Sequence, residues 1–268
     1  MDDNDVDVSD LEKWDPGFTD TARKLLGPVG KFWVRAEVRG LDRLPPTGGA
    51  LLVSNHSGGA MTPDVLVLAP AFYEELGYDR PLYTLAHYGL FKTPLAGTLR
   101  KIGVILATRE NAAKALSSGG VVLVFPGGDY DSYRSTFAQN TIDFNGRKGY
   151  VRTAIEADVP IVPAVSIGGQ EIQLFFGRGS RIAKRLGLHR IRTDILPLGF
   201  GFPFGLTSTL PANFPLPSKI VHEVLEPIHV TELFGENPDV DEVDAHVRAV
   251  MQSALDRLAK QRRFPVLG

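Results

Sequence analysis

The sequence predicts an α/β fold: a largely parallel mixed sheet flanked by helices, opened by an N-terminal helical segment and closed by an amphipathic helix. Three observations predict it. Short apolar, β-rich runs alternate with segments of helical periodicity through the middle of the chain. Glycine (28 residues) and proline (19) cluster around those runs without repeating, which excludes collagen-like and disordered chains. The C-terminal region carries an apolar stripe at helical spacing, with acids at its start and bases at its end.

Taken in order, residues 1–13 read as a disordered acidic tail. Residues 14–33 read as an N-terminal amphipathic segment, because Phe18, Ala22, Leu25, Leu26, Val29, Phe32 and Trp33 share a helical face, with a break expected at Gly27-Pro28. Residues 34–268 form the main domain. Within it the strands are expected over 34–38, 50–54, 82–85, 104–107, 121–125, 161–165 and 219–225. Helices are expected over 64–76, 94–102, 109–116 and 148–157. A final helix over 239–263 places Val240, Val243, Val247, Val250, Ala254 and Leu258 on one face. Between them, 195–218 has no charged residue, five prolines and four phenylalanines. The prolines forbid a regular spanning helix there, so the stretch is expected as an apolar loop over the core or against a membrane surface.

The 268 residues are ample to bury a core. No apolar run reaches the roughly 18 residues that cross a bilayer, and no secretory signal pattern is visible. The absence of cysteine excludes disulfides, thiolate metal sites and cysteine nucleophiles. Residues 1–20 carry a local charge of −7, which leaves +5 on the rest of a chain whose net charge is −2. No dense Lys/Arg stripe favours nucleic acid. A mildly basic body suits an anionic surface or a phosphorylated ligand, and a tail that aids solubility fits equally well.

Three places carry chemistry. The first is Ser54-Asn55-His56-Ser57-Gly58-Gly59-Ala60-Met61-Thr62-Pro63-Asp64, directly after an apolar strand, where α/β sheets place ligand sites. An imidazole there can take a proton from a hydroxyl near neutral pH, and Asp64 can fix its tautomer if the glycine loop folds back. Thr62-Pro63-Asp64 is also a good helix start, with Thr62 as N-cap. The second is Val121 to Arg134, in which a strand runs into Pro126-Gly127-Gly128; exposed N–H groups there suit an oxyanion or phosphate, with Asp131 and Arg134 near an acceptor. The third is Lys101 to Arg109, with Arg109 as an anion anchor just past a strand. There is no convincing cluster of metal ligands.

In this order the pieces resemble the glycerolipid (lysophospholipid) acyltransferase superfamily, PlsC-like, and its monoacylglycerol-acyltransferase-like branch, over roughly residues 30 to 230. The family's four blocks are similar to Asn55-His56-Ser57-Gly58-Gly59 with Asp64, to Gly103–Arg109, to Phe125-Pro126-Gly127-Gly128 and to Val159–Ala164. The resemblance implies a glycerol-3-phosphate acyltransferase-like fold, His56 as base, Asp64 as its partner, an acyl-CoA or acyl-carrier-protein donor, a lipid hydroxyl acceptor and no cofactor. It implies oxyanion or substrate contacts at Gly127, Gly128, Asp131, Arg134 and Arg109. Seven residues separate His56 from Asp64, where the common motif has four, and Gly127 and Tyr130 replace the common glutamate and arginine.

Two other readings stay open. Ala164-Val165-Ser166-Ile167-Gly168 is similar to a serine-esterase elbow, with His222, His229 or His246 to complete a triad. A non-catalytic lipid-binding protein would use the apolar stretch as its working surface. The apolar segments favour a cytoplasmic protein lying peripherally on the inner face of a membrane.

Overall fold

The computed structural model describes residues 8–138, 140–187, 195–209, 211–264 and 266–267. Its centre is a seven-stranded sheet built from β1 (Glu37–Arg39), β2 (Ala50–Ser54), β3 (Leu82–Ala86), β4 (Val104–Leu106), β5 (Val121–Val124), β6 (Ile161–Ile167) and β10 (Val221–Val224), in the order β1-β10-β6-β2-β5-β3-β4. The five strands β6, β2, β5, β3 and β4 run parallel; β10 is antiparallel to β6 and parallel to β1. A second sheet, β7 (Leu174–Gly177), β8 (Leu198–Gly201) and β9 (Gly205–Thr207), is antiparallel.

The helices are α1 (Pro16–Pro28), α2 (Pro63–Leu76), α3 (Ala96–Lys101), α4 (Arg109–Ser117), α5 (Gly128–Ser132), α6 (Gly149–Glu156), α7 (Ser180–Arg185), α8 (Val230–Phe234) and α9 (Val240–Gln261). The parallel strands are apolar on both sides because both sheet faces are covered. Leu51 and Val53 of β2 point into a core with Tyr150 of α6 and Val247 of α9, while Ala50 and Leu52 point into one with Leu68 and Phe72 of α2. The predicted fold class and closing helix are those of the structure. The buried face of α9 adds Met251 and Leu255 to Val243, Val247, Ala254 and Leu258. Asp239 caps it by accepting from the Asp241 (2.6 Å) and Glu242 (3.3 Å) N–H groups.

Three expectations need correction. Residues 8–13 are not a disordered tail: Val8–Lys13 forms a 3-10 turn whose buried Asp10 accepts from Arg100 (2.7 Å) and Lys13 (3.3 Å). Residues 1–7 lie outside the described residues. Gly27-Pro28 does not break the N-terminal segment; α1 includes Pro28 and passes directly into a π-helical turn at Val29–Trp33, closed by the Val34 N–H donating to the Val29 carbonyl (3.2 Å). The 195–218 stretch is not a plain loop over the core. It holds β8 and β9: β8 pairs with β7 and β9 with β8, and the alternation of glycine and phenylalanine through β8 sends the Phe200 ring outward.

Candidate active site

The C-terminal ends of the parallel strands β2, β5 and β6 meet at His56, on the edge of the sheet where such folds bind ligands. Asn55 fixes the end of β2 to β6 by exchanging two hydrogen bonds with Ser166: its Nδ2 donates to the Ser166 carbonyl (2.9 Å), and the Ser166 N–H donates to its Oδ1 (2.8 Å). The chain then turns back on itself. Gly58 and Gly59 both have positive φ (78° and 59°), and a Cβ on Gly58 would lie 2.5 Å from the Pro63 ring. The 3-10 turn Gly59–Met61 absorbs the extra length between His56 and Asp64 and delivers Asp64 to the first turn of α2. Thr62 stands at the N-cap but does not cap: its φ is +42° and its side chain makes no capping hydrogen bond. That left-handed residue completes the reversal.

Asp64 is completely buried and surrounded by donors. Its Oδ2 meets His56 Nδ1 at 2.9 Å and accepts from the Ser57 N–H at 2.6 Å. Its Oδ1 accepts from the Ser57 and Ser166 hydroxyls, each at 2.7 Å. Burial pushes its carboxyl up, but the hydrogen bond and charge of His56, with His222 and Ser166 behind them, hold it below the ordinary carboxylate range. An ionised Asp64 requires Nδ1 to carry the proton, which leaves the Nε2 lone pair as the basic atom. Among the described residues Nε2 has no protein partner, and the side chain is 12% exposed. The ring stacks on Phe125 with centroids 4.4 Å apart.

Asp131, from the short helix α5 after β5, reaches the same histidine by its backbone: Oδ2 accepts the His56 N–H at 2.7 Å. Its Oδ1 pairs with Arg134 at 2.6 Å, and both side chains are buried. Burial pushes the Asp131 carboxyl up to about 6, against the opposing pull of Arg134 and the His56 N–H. Arg134 also donates to the Thr141 and Asp143 carbonyls. The pair therefore braces the loop from inside instead of standing open to an acceptor.

The remaining predicted residues divide. The Gly128 N–H closes a turn onto the Phe125 carbonyl (3.0 Å), so it is not an available oxyanion donor. The Gly127 carbonyl accepts from Arg147 (2.8 Å), and a Cβ at Gly127 would sit 2.4 Å from that of Asp131. Arg109 is exposed at the start of α4, after β4, three strands from β2 in the sheet order, and the structure does not join it to the other site residues. Ser166 and His222 face each other across β6 and β10, with His222 Nε2 3.8 Å from Asp64 Oδ1. Burial drives the His222 imidazole down to about 4, so it is neutral. His229 and His246 instead line a broad groove of about 1100 Å³ between β10 and α9, with Leu225, Ile228 and Val250. Sequence reasoning missed Ser57, which donates twice to Asp64, and the ring of Phe125; the signals were a hydroxyl next to His56 and an aromatic just before Pro126.

With this geometry in place, comparison with known proteins decides the family. Residues 35–167 match the family model described as Acyltransferase. An uncharacterized protein of Mycobacterium leprae is 33% identical over 263 residues, covering 95% of this chain and 69% of the relative. The chain belongs to the acyltransferase family. It is an acyltransferase, and His56 and Asp64 lie in the matched region. The Bos taurus protein named DGAT1/2-independent enzyme synthesizing storage lipids is 27% identical over 257 residues, covering 94% of this chain and 72% of the relative. Among solved structures, the 1-acyl-sn-glycerophosphate (LPA) acyltransferase PlsC from Thermotoga maritima superposes with a TM-score of 0.53 at 18% identity, covering 94% of this chain and 91% of that one, which establishes a shared fold.

Proposed function

We propose that this acyltransferase moves a fatty acyl group from an acyl thioester, acyl-CoA or acyl carrier protein, to a hydroxyl of a glycerolipid or related lipid. The observation that carries the proposal is the His56 Nδ1–Asp64 contact of 2.9 Å with Nε2 left facing outward. Nε2 takes the proton of the acceptor hydroxyl as its oxygen attacks the thioester carbonyl. The tetrahedral intermediate collapses, the carbon–sulfur bond breaks, and the imidazolium returns the proton to the leaving thiolate. Asp64 stabilises the transient imidazolium, and Ser57 and Ser166 hold Asp64 in place. Of the two glycines first considered for the oxyanion, Gly128 gives its N–H to the turn onto Phe125, which leaves the Gly127 N–H as the candidate donor.

The relative that synthesizes storage lipids supports a lipid alcohol as acceptor. A serine-esterase mechanism is poorly supported, because the Ser166 hydroxyl is buried and donates to Asp64. No helix among the described residues is long and apolar enough to cross a membrane. The exposed apolar segments around Trp33 and Phe202 favour a peripheral position on the inner face of a membrane, where a lipid acceptor would be met. The test is a panel of acyl-CoA donors and lipid alcohols in which free thiol and ester product are followed together. Equal release of both supports transfer; thiol release without ester, abolished by Ser166→Ala, would move the protein to the hydrolases.

A further inference from the structure

The small sheet has two unlike faces. On its inner face Phe175 is buried edge-on against Tyr133, with ring centroids 6.1 Å apart, and a Cβ on Gly59 of the His56 loop would lie 2.8 Å from Tyr133 and 3.1 Å from Phe175. On its outer face Phe200 sits opposite Leu206 in the β8–β9 register, and both are exposed. At the turn between those strands Phe202 is 74% exposed. This apolar face does not stop at the hairpin. The Phe202 carbonyl accepts the Phe214 N–H (2.7 Å), and the Pro215 carbonyl accepts the Trp33 indole N–H (2.9 Å). Those two bonds join the hairpin to the 214–217 segment and then to the π-helical turn after α1, where Phe32 is also 74% exposed. Exposed large apolar side chains gathered on segments joined in this way call for a partner.

Charge identifies that partner. The segments 29–36, 172–187 and 195–218 contain no carboxylate and carry Lys31, Arg35, Arg178, Arg181, Lys184 and Arg185. Arg35 is pinned to the apolar segment by donating to the Pro217 carbonyl (2.7 Å), and the Leu196 N–H leading into β8 donates to the Arg178 carbonyl (2.9 Å) beside α7. The Arg178 guanidinium lies over the Tyr130 ring (3.4 Å), so the cations that flank the aromatic segments are Lys31 and Arg35 on one side and Arg181, Lys184 and Arg185 of α7 on the other, and those segments carry no charge of their own. Rings that seat at the headgroup level, flanked by cations and free of acids, fit an anionic bilayer surface. A polar protein partner would waste the phenylalanines, and a second copy of this face would set like charges against each other.

We propose that the outer face of β7–β9, with the turn after α1, docks on an anionic lipid surface, so that the inner face of the same sheet holds the His56 loop at the bilayer. This rests on the acyl-transfer reading above, and a water-soluble short-chain acceptor separates the two. The experiment is flotation of the full chain with phosphatidylcholine vesicles, with and without phosphatidylglycerol. Three variants accompany it: Phe202→Ser with Phe204→Ser, Lys184→Ser with Arg185→Ser, and Leu233→Ser on α8 as an exposed control. Thermal unfolding of each verifies folding.

Wild type and Leu233→Ser should float with the anionic vesicles and much less with the neutral ones. The phenylalanine pair should lower partitioning about tenfold or more, and the cation pair should lower it on the order of tenfold, less so in high salt. Both pairs should lose turnover of vesicle-borne acceptor in proportion and keep it on the short-chain acceptor. Equal binding to neutral and anionic vesicles would overturn the anionic surface. Absence of vesicle binding, or a dimer that the phenylalanine pair converts to monomer, would overturn the docking face. In either case activity on the soluble acceptor would leave acyl transfer standing, whereas its absence there with vesicle binding intact would remove acyl transfer instead.

Discussion

The helices that follow β2 and β5, α2 and α5, each bring a buried carboxylate to His56, one to the ring and one to the main chain. Asp64 meets Nδ1 at 2.9 Å, and its other contacts are N–H and O–H groups that favour the ionised form. Asp131 meets the His56 N–H at 2.7 Å and a buried guanidinium at 2.6 Å, yet burial leaves its carboxyl near 6. The difference teaches a division of labour. A carboxylate that touches the ring can tune proton transfer, whereas one that touches the backbone can only place the ring where the transfer occurs.

The largest expected break in this comparison comes from Asp64→Asn. It removes the charge that stabilises the imidazolium, so kcat should fall about 10²–10⁴-fold. The unfolding midpoint should fall less than in Asp131→Asn, because the groups that lose the Asp64 charge include N–H and O–H donors but no buried guanidinium. Asp131→Asn should do the reverse and cost about 3–5 kcal/mol of stability, since Arg134 would stay buried without its counter-charge. Urea unfolding beside steady-state kinetics reads both; matching profiles for the two variants would collapse the distinction.

A smaller effect sharpens the ring side of the comparison. Ser166→Ala removes one hydroxyl donor from Asp64, so kcat should fall by about tenfold with KM unchanged, in line with a hydrogen bond to a charged group. Ser166→Thr, which keeps the hydroxyl, should recover part of it. Loss of all activity in the alanine variant would instead point to Ser166 as a nucleophile.

The last concerns stability rather than turnover and rests on His222, whose imidazole burial takes from an ordinary 6.5 down to about 4. The unfolded chain binds a proton on this residue below about 6.5 and the native state does not until about 4, so stability is fully present above 6.5 and falls as pH drops towards 4. Relative to His222→Leu, wild type should lose unfolding free energy between those pH values. Asp131, raised from 3.8 to about 6, works in the opposite sense over much of that window and cancels in the difference. Parallel pH curves for the two proteins would deny that His222 is neutral in the native state.

Much of this was readable in the residues. The apolar run at 50–54 became β2 with the bounds it suggested, because a strand buried on both faces needs an unbroken apolar run. His56 was readable because it follows that strand. Asp64 was readable only in part: its partnership depends on a 3-10 turn and a left-handed Thr62, neither of which follows from side-chain pattern. The burial of Asp131 and Arg134 was hidden because sequence cannot separate a charge that faces substrate from one that faces its own counter-ion. The strands β8 and β9 were masked by the five prolines around them, since the alternation of glycine and phenylalanine spans only a few residues.

The central claim is that His56 Nε2, backed by Asp64, removes the acceptor's proton. Its most direct test is thiol release from acyl-CoA in the presence of a lipid alcohol, measured for wild type and His56→Ala with unchanged circular dichroism. Turnover should fall about 10²–10⁴-fold in the variant. Retention of more than about a hundredth of the wild-type rate would contradict a base at His56.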